Sequence, residues 1–267
     1  MPDQAMAEQT ASQIASPVGA TGGRFMLSTK TYEGGMVHGY EGLDFYFHGR
    51  GGAMALLGEV VTVDLIKIEF GLFNPQVVDA MWALGEEKHP PEIAAKFFIE
   101  QGYAWAEKGL SPETDWLPLI EITQQIFGTT QWEQAAAQAF DAGDDPTNPA
   151  LRLVTGWTQM DWPDDRRHGG LHAIHLLREL RGGIHVLELH KRQCDALQSV
   201  LHQGAEMTAQ ILGWSEPFPE VSEETKAAWA EAETATNARM ATFLAPLSAE
   251  DQSRLVQLVI SAASNGT

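Results

Sequence analysis

Five of the nine histidines in this 267-residue chain fall between Asp164 and His190, in the stretch DDRRHGGLHAIHLLRELRGGIHVLELH. Imidazole changes charge near neutral pH and is the commonest metal ligand, so the spacing of these residues decides what they can do. His168, His172 and His175 are separated by four and then three residues, which on a helix puts all three on one side, within reach of a single metal ion. No carboxylate at a fitting spacing completes a motif such as His-Glu-x-x-His, and no metal is assigned. Arg178, Arg181 and His185 are spaced i, i+3 and i+7, so their polar ends converge as well. Paired guanidiniums suit bidentate recognition of a carboxylate or phosphate, and His185 or His175 would be the general acid or base of a reaction near neutral pH. An arginine beside an apolar surface also needs a partner, because an unpaired buried charge is very costly. An internal carboxylate such as Glu179 or Asp195 is the plainer way to supply one.

One helix must position these groups. At about 100° per residue, Leu171, Ile174, Leu177, Leu180, Ile184 and Leu187 form a broad apolar arc, and His168, His172, His175, Glu179 and Gly182 form a polar stripe opposite it. The plainest reading of that stripe is a solvated face, with ligand binding as the alternative. Gly182-Gly183 interrupts the helix at a cost of roughly 1 kcal/mol per glycine, which points to close backbone approach or a kink. A second polar group lies upstream, with Tyr46, His48 and Arg50 in FYFHGRGG and Phe70 and Phe73 following. Aromatics at helical spacing fit an ordinary core. Tyr46 and His48 carry polar atoms and suit a pocket wall equally well, and Phe73 would line the same wall.

The two stretches echo each other. Residues 49–57 (GRGGAMALL) and 180–188 (LRGGIHVLE) superpose at an offset of 131, matching Arg50 with Arg181 and Asp64 with Asp195. That suggests two related halves facing each other across a cleft, over 28–143 and 149–267, either as separate domains or as one compact unit. Residues 1–27 read as a flexible tail, and DDPTNP (144–149) as the loop between the halves. Helical periodicity runs from Tyr40 to a C-cap at Gly58, through VDLIKIEFGLF, and from Asn74-Pro75 into PQVVDAMWALG. Two short helices joined by a tight turn make a helix-turn-helix unit. Further helices follow, among them one over Cys194–Leu212, one capped by Ser222 and one opened by a Ser248/Asp251 capping box. No stretch alternates with period 2, so the class is mainly α, with winged-helix-like elements and little β.

Composition narrows the function. Only 17 Lys and Arg face 36 Asp and Glu, a net charge of -19, which argues against binding a phosphate backbone. Cys194 is the sole cysteine, so intrachain disulfides are excluded. There is no basic, apolar leader and no run of about 20 apolar residues. The chain reads as cytoplasmic, without a membrane partner, and as a monomer or a homodimer.

FYFHGRGGAMALLGEVVTVDLIKIEFGLFNPQVVDAMW and HLLRELRGGIHVLEL resemble blocks of an actinobacterial family labelled helix-turn-helix or MarR-like, which includes the SalK type. Arg178, Arg181, Gly182 and His185 stand at matching places, and Gly213-Trp214 and Glu233-x-x-Thr236-Asn237 resemble its C-terminal pattern. Gly183 stands where the family usually has Asp and Leu180 where it usually has His. The segment after Gly213-Trp214, where a wing would lie, is shortened to a loop. The resemblance implies a mostly helical fold with winged-helix-like parts and no settled activity or cofactor. Three functions follow as expectations. The first is binding of a small organic ligand, anionic among the options, between the halves. Arg50, Arg178, Arg181 and His185 would anchor it, and Tyr46, His48, Phe73, His172 and His175 would line the site. The second is an enzyme using His185 or His175 in the same cleft. The third is a transcriptional regulator, disfavoured by the charge and the shortened wing.

Overall fold

In the computed structural model, which describes residues 4–128, 132, 135–136, 149–204 and 206–264, the chain winds around one long central helix. The helix and the DDPTNP loop expected between 129 and 148 lie outside the described residues, save for those three positions. α1 is Gln4–Met26, α2 Thr29–Val37 and α3 Leu43–Gly51, continued by a 3-10 turn over Gly52–Leu57. α4 is Val63–Glu69, α5 Pro75–Glu86, α6 Pro91–Gly109 and α7 Leu117–Phe127. α8 is Pro149–Trp157, α9 Arg166–Lys191, α10 Ala196–Gly204 and α11 Glu206–Ile211. α12 (Glu223–Leu244) and α13 (Ala249–Ser264) complete the chain. No strand occurs among the described residues, and no described helix is long and apolar enough to cross a membrane.

Local chemistry sets the helix starts. Asp165 accepts the N–H groups of Arg167 and His168 to open α9, and Ser28, Thr62, Asn74 and Ser222 cap α2, α4, α5 and α12 in the same way. Each such cap satisfies an N–H that the helix itself cannot. Ser248 and Asp251 exchange hydrogen bonds of 2.8 and 3.0 Å at the start of α13, as the capping box predicts.

α9 is surrounded by α1, α6, α7, α8 and α12. Its apolar arc is buried, and so is the polar stripe: His172, His175 and Glu179 are each 0% exposed. The expected solvated face is therefore interior, and the reason lies at the other end of the chain. Residues 4–26 are not a flexible tail. They form α1, which buries Ala7, Ile14, Val18 and Phe25 and runs along α12, α13 and α9. Thr10 on α1 donates to Gln252 on α13 at 3.0 Å inside the core. Gly22 leaves room for the Arg178 side chain, which occupies the place a Cβ would take. A single core extends from Ala7 to Ala262, so the two halves are one packing unit.

Two more expectations change in detail. The helix read from Tyr40 to Gly58 tightens to a 3-10 turn at Gly52, whose missing Cβ makes way for the Pro91 carbonyl. The helix read over Cys194–Leu212 is helical over Ala196–Gly204 and Glu206–Ile211, the described residues on either side of position 205. The α4–α5 pair interlocks with the segment that follows α11. Asn74 donates its backbone N–H to the Leu212 carbonyl at 3.0 Å and its amide to the Gly213 carbonyl at 3.1 Å, while Trp214 Nε1 donates to the Leu72 carbonyl at 3.0 Å.

The glycines of α8 and α9 make opposite predictions. A methyl group at Gly156 would stand on the Ala53 carbonyl, where backbone cannot yield, whereas one at Gly182 meets no atom within 4 Å. Gly182→Ala should raise stability by about 0.5–1 kcal/mol through lost chain entropy. Gly156→Ala should lower it. Thermal melts that moved in the same direction for both would contradict these contacts.

Candidate functional site

Two polar clusters lie along α9. The first is interior and joins α9 to the first helix-turn-helix unit. Arg50 on α3 reaches across to Glu179, donating through Nε at 3.0 and 3.2 Å and through Nη2 at 2.7 Å. Arg178 adds a bond of 2.7 Å to the same carboxylate, and Arg50 Nη1 lies 3.2 Å from the Tyr46 hydroxyl. The Arg50 guanidinium also stacks 4.5 Å from the Phe70 ring centre. Burial by itself would raise the Glu179 pKa, but Arg50, Arg178 and His175 overcome it and hold the group at about 2. Glu69 on α4 is also fully enclosed, and burial pushes its pKa well above the usual carboxylate range. Its Oε2 has no hydrogen-bond partner.

The second cluster lies between α9 and α12. Arg181 pairs with Glu233, and His185 Nδ1 meets the Thr236 hydroxyl at 3.2 Å and Glu233 at 3.6 Å. Trp229 stands edge-on, 5.8 Å from the His185 ring centre. Thr236 has one hydroxyl proton and gives it to the Ala232 carbonyl at 2.7 Å. Its oxygen must therefore accept from His185 Nδ1–H, which leaves Nε2 as a bare acceptor on the neutral ring. Burial holds His185 neutral by lowering its pKa to about 4. His185 Nε2, Arg181 Nε and Asn237 Oδ1 are all buried without a partner.

The other residues singled out from sequence separate from these clusters. His168 stacks on Tyr103 at 5.3 Å, His172 receives the Tyr103 hydroxyl at 2.9 Å, and His175 sits between Phe25 and Trp157 at 5.4 and 4.6 Å. Among the described residues no three His, Cys, Asp or Glu are grouped to hold a metal. His48 receives the Tyr40 hydroxyl at 2.9 Å and contacts Trp82, on the side of α3 away from α9. Phe73 joins Tyr46, Phe47 and Phe70 in an aromatic group. Burial lowers the pKa of His48 and His172 to about 4 and that of His175 to about 3. His175 thus lies in the core as a neutral ring, poorly placed for acid–base exchange with a substrate. His185 keeps a free nitrogen beside a polar wall.

The arginines matched by the internal echo behave alike, since Arg50 and Arg181 each pair with a carboxylate from another segment of the fold. The internal ion pair expected for such residues is what forms. Glu69, Glu233, Thr236, Asn237 and Trp229 escaped the spacing argument because each comes from a different helix than the His-rich stretch. Only the Glu233-x-x-Thr236-Asn237 pattern pointed toward α12.

Comparison with curated proteins and with solved structures gives no match. The model of a family described as the helix-turn-helix family matches residues 12–265, a span that takes in the α4–α5 pair and both polar clusters. This chain belongs to the helix-turn-helix family.

Proposed function

We propose that the protein binds a small, hydrogen-bonding organic molecule at the α9–α12 seam, with Arg181, His185, Glu233, Thr236 and Asn237 as its polar wall. One observation carries this reading: three buried polar atoms on facing helices, His185 Nε2, Arg181 Nε and Asn237 Oδ1, have no partner. Interiors pair nearly all such atoms, because leaving one unmade costs about 1–3 kcal/mol. Gly182, next to Arg181, adds open space beside them. The set asks for a ligand that donates to His185 and Asn237 and accepts from Arg181, as a hydroxyl or amide does. A simple anion fits less well, since Glu233 already neutralises Arg181. The SalK-type resemblance of the α9 block belongs to this reading, as does the option that His185 Nε2 serves as a base toward a bound hydroxyl.

The test is native mass spectrometry on gently purified protein, together with Gly182→Leu, which fills the open space and leaves the polar wall intact. A non-covalent organic mass on the wild type that is lost from Gly182→Leu and from His185→Ala supports the site. A bare mass, with no member of a cell-extract metabolite pool retained by the wild type over Gly182→Leu, overturns it.

Family membership favours a second reading, DNA binding. A recognition helix presents its first turn to the major groove, but the start of α5 is occupied by Leu212, Gly213 and Trp214. The nearby cation, Lys67, is paired with Asp79 at 2.6 Å. Fluorescence anisotropy with random duplex DNA at low salt should show no saturable binding. Micromolar binding with a salt-dependent slope would favour the regulator instead.

A further inference from the structure

The α9–α12 seam carries an aromatic group that its polar wall leaves unused. Trp229 lies one turn before Glu233 on α12, and residues 229, 233, 236 and 237 share one face of that helix, within an arc of about 100°. Its indole stands across the His185 ring at 75° and 5.8 Å, and across the His202 ring of α10 at 74° and 5.2 Å. Trp229 is part-buried and His202 exposed, so the three rings run from the surface inward to His185. The wall also has a fixed sense of hydrogen bonding. Arg181 gives Nη2 to Glu233, which leaves Nε–H as a donor without a partner, while His185 Nε2 and Asn237 Oδ1 are acceptors without one.

Resting on the reading of this seam as a binding site, we infer that its ligand is an uncharged, planar cyclic ureide, a ring in which one carbonyl is flanked by two N–H groups. Two donors about one acceptor are the complement of two acceptors and one donor. The carbonyl takes Arg181 Nε–H, and the two N–H groups go to His185 Nε2 and Asn237 Oδ1. A single hydroxyl meets at most two of these three atoms, so it leaves one buried group unpaired. A hydrogen bond at Nε2 lets the ligand ring turn about its axis and lie along the indole, out of the imidazole plane. The edge of a flat ring thus serves the polar wall while its face serves Trp229. Ionised members of the class are excluded, because Glu233 stands at Arg181 in a chain of net charge -19.

The test is a ligand-observed NMR titration of the full chain with three matched probes. Uracil has the whole pattern, dihydrouracil keeps the ureide without the flat π system, and the N,N′-dimethyl derivative of uracil keeps the ring without its donors. Uracil should bind saturably, dihydrouracil about tenfold more weakly for want of stacking, and the dimethyl derivative not at all, since it leaves the buried acceptors unmet. These comparisons use the wild type alone, so they do not depend on a variant folding. Trp229→Leu should weaken uracil to the level of dihydrouracil and leave dihydrouracil unchanged, a cycle that isolates the stacking. His185→Phe, which keeps a ring against Trp229, and Gly182→Leu should each abolish uracil binding. Uracil that does not saturate, that binds no better than either relative, or that binds Gly182→Leu as it binds the wild type would overturn the inference. An organic mass retained by the wild type over Gly182→Leu, with no uracil binding, leaves the seam reading standing and removes the ureide. A bare mass with no uracil binding removes both.

Discussion

Between pH 7 and pH 5 the protein should lose most of its stability. His48, His172, His175 and His185 are buried neutral, burial having lowered their pKa values to about 4, 4, 3 and 4. In the unfolded chain each titrates near 6.5. Between about 4 and 6.5 the unfolded state therefore binds more protons than the folded one, and stability falls as pH falls. At 1.36 kcal/mol per unit, His48, His172 and His185 each contribute about 3 kcal/mol at the acid limit and His175 about 5, and by pH 5 about 2 kcal/mol of each is lost, about 8 in all. Four together match the 5–15 kcal/mol of a typical fold. Glu69 acts in the opposite sense, since a carboxyl with a raised pKa gains stability as pH falls toward 4.5, but it is one group against four. Glu179, held near 2, adds its own loss only below about pH 4.5. Thermal melts at half-unit steps should show a maximum near neutrality and a steep fall from pH 6.5. His175→Phe, whose ring suits the contacts to Phe25 and Trp157, should reduce the slope by about one proton. A melting temperature flat from pH 7 to pH 5 would refute the assignment of neutral buried rings.

Removing Glu179 should cost as much as charging one or two of those rings, in one step. Glu179→Ala leaves Arg50 enclosed without its hydrogen-bonded carboxylate, beside the Tyr46 hydroxyl, the Phe70 ring and the buried Glu69 carboxyl. Breaking a buried pair from one side typically costs about 3–5 kcal/mol, or about 10 °C in melting temperature for a chain of this size. Arg50→Met is the milder change, because Arg178 still neutralises Glu179. The double variant Arg50→Met/Glu179→Leu should recover much of the loss, because two apolar groups of similar volume need no partner. If Glu179→Ala melted within 2 °C of the wild type, the cluster would not tie α3 to α9 as described. If the double variant were no better than Glu179→Ala alone, its cost would come from packing and not from charge.

Much of the secondary structure is legible residue by residue. Thr62, Asn74, Ser222 and Ser248 announce helix starts because capping is a local bargain between one side chain and the N–H groups two or three positions on. The mainly α class follows from periodicity, and the α4–α5 pair from Asn74-Pro75. The candidate site was half legible: Arg181 and His185 were identified, but their partners Glu233, Thr236 and Asn237 lie fifty residues away.

The sequence by itself determined that this is a helical, acidic protein with a helix-turn-helix pair and a polar helix at its centre, because caps, periodicity and charge are properties of neighbouring residues. Only the tertiary structure decided where the polar stripe would point. A helical wheel assigns a polar face to water unless something covers it, and the cover here comes from four other helices: Tyr103 of α6 meets His172, Trp157 of α8 and Phe25 of α1 flank His175, Arg50 of α3 pairs with Glu179, and Gly22 of α1 yields its place to Arg178. That contact spans more than 150 residues of chain, and no local pattern encodes it.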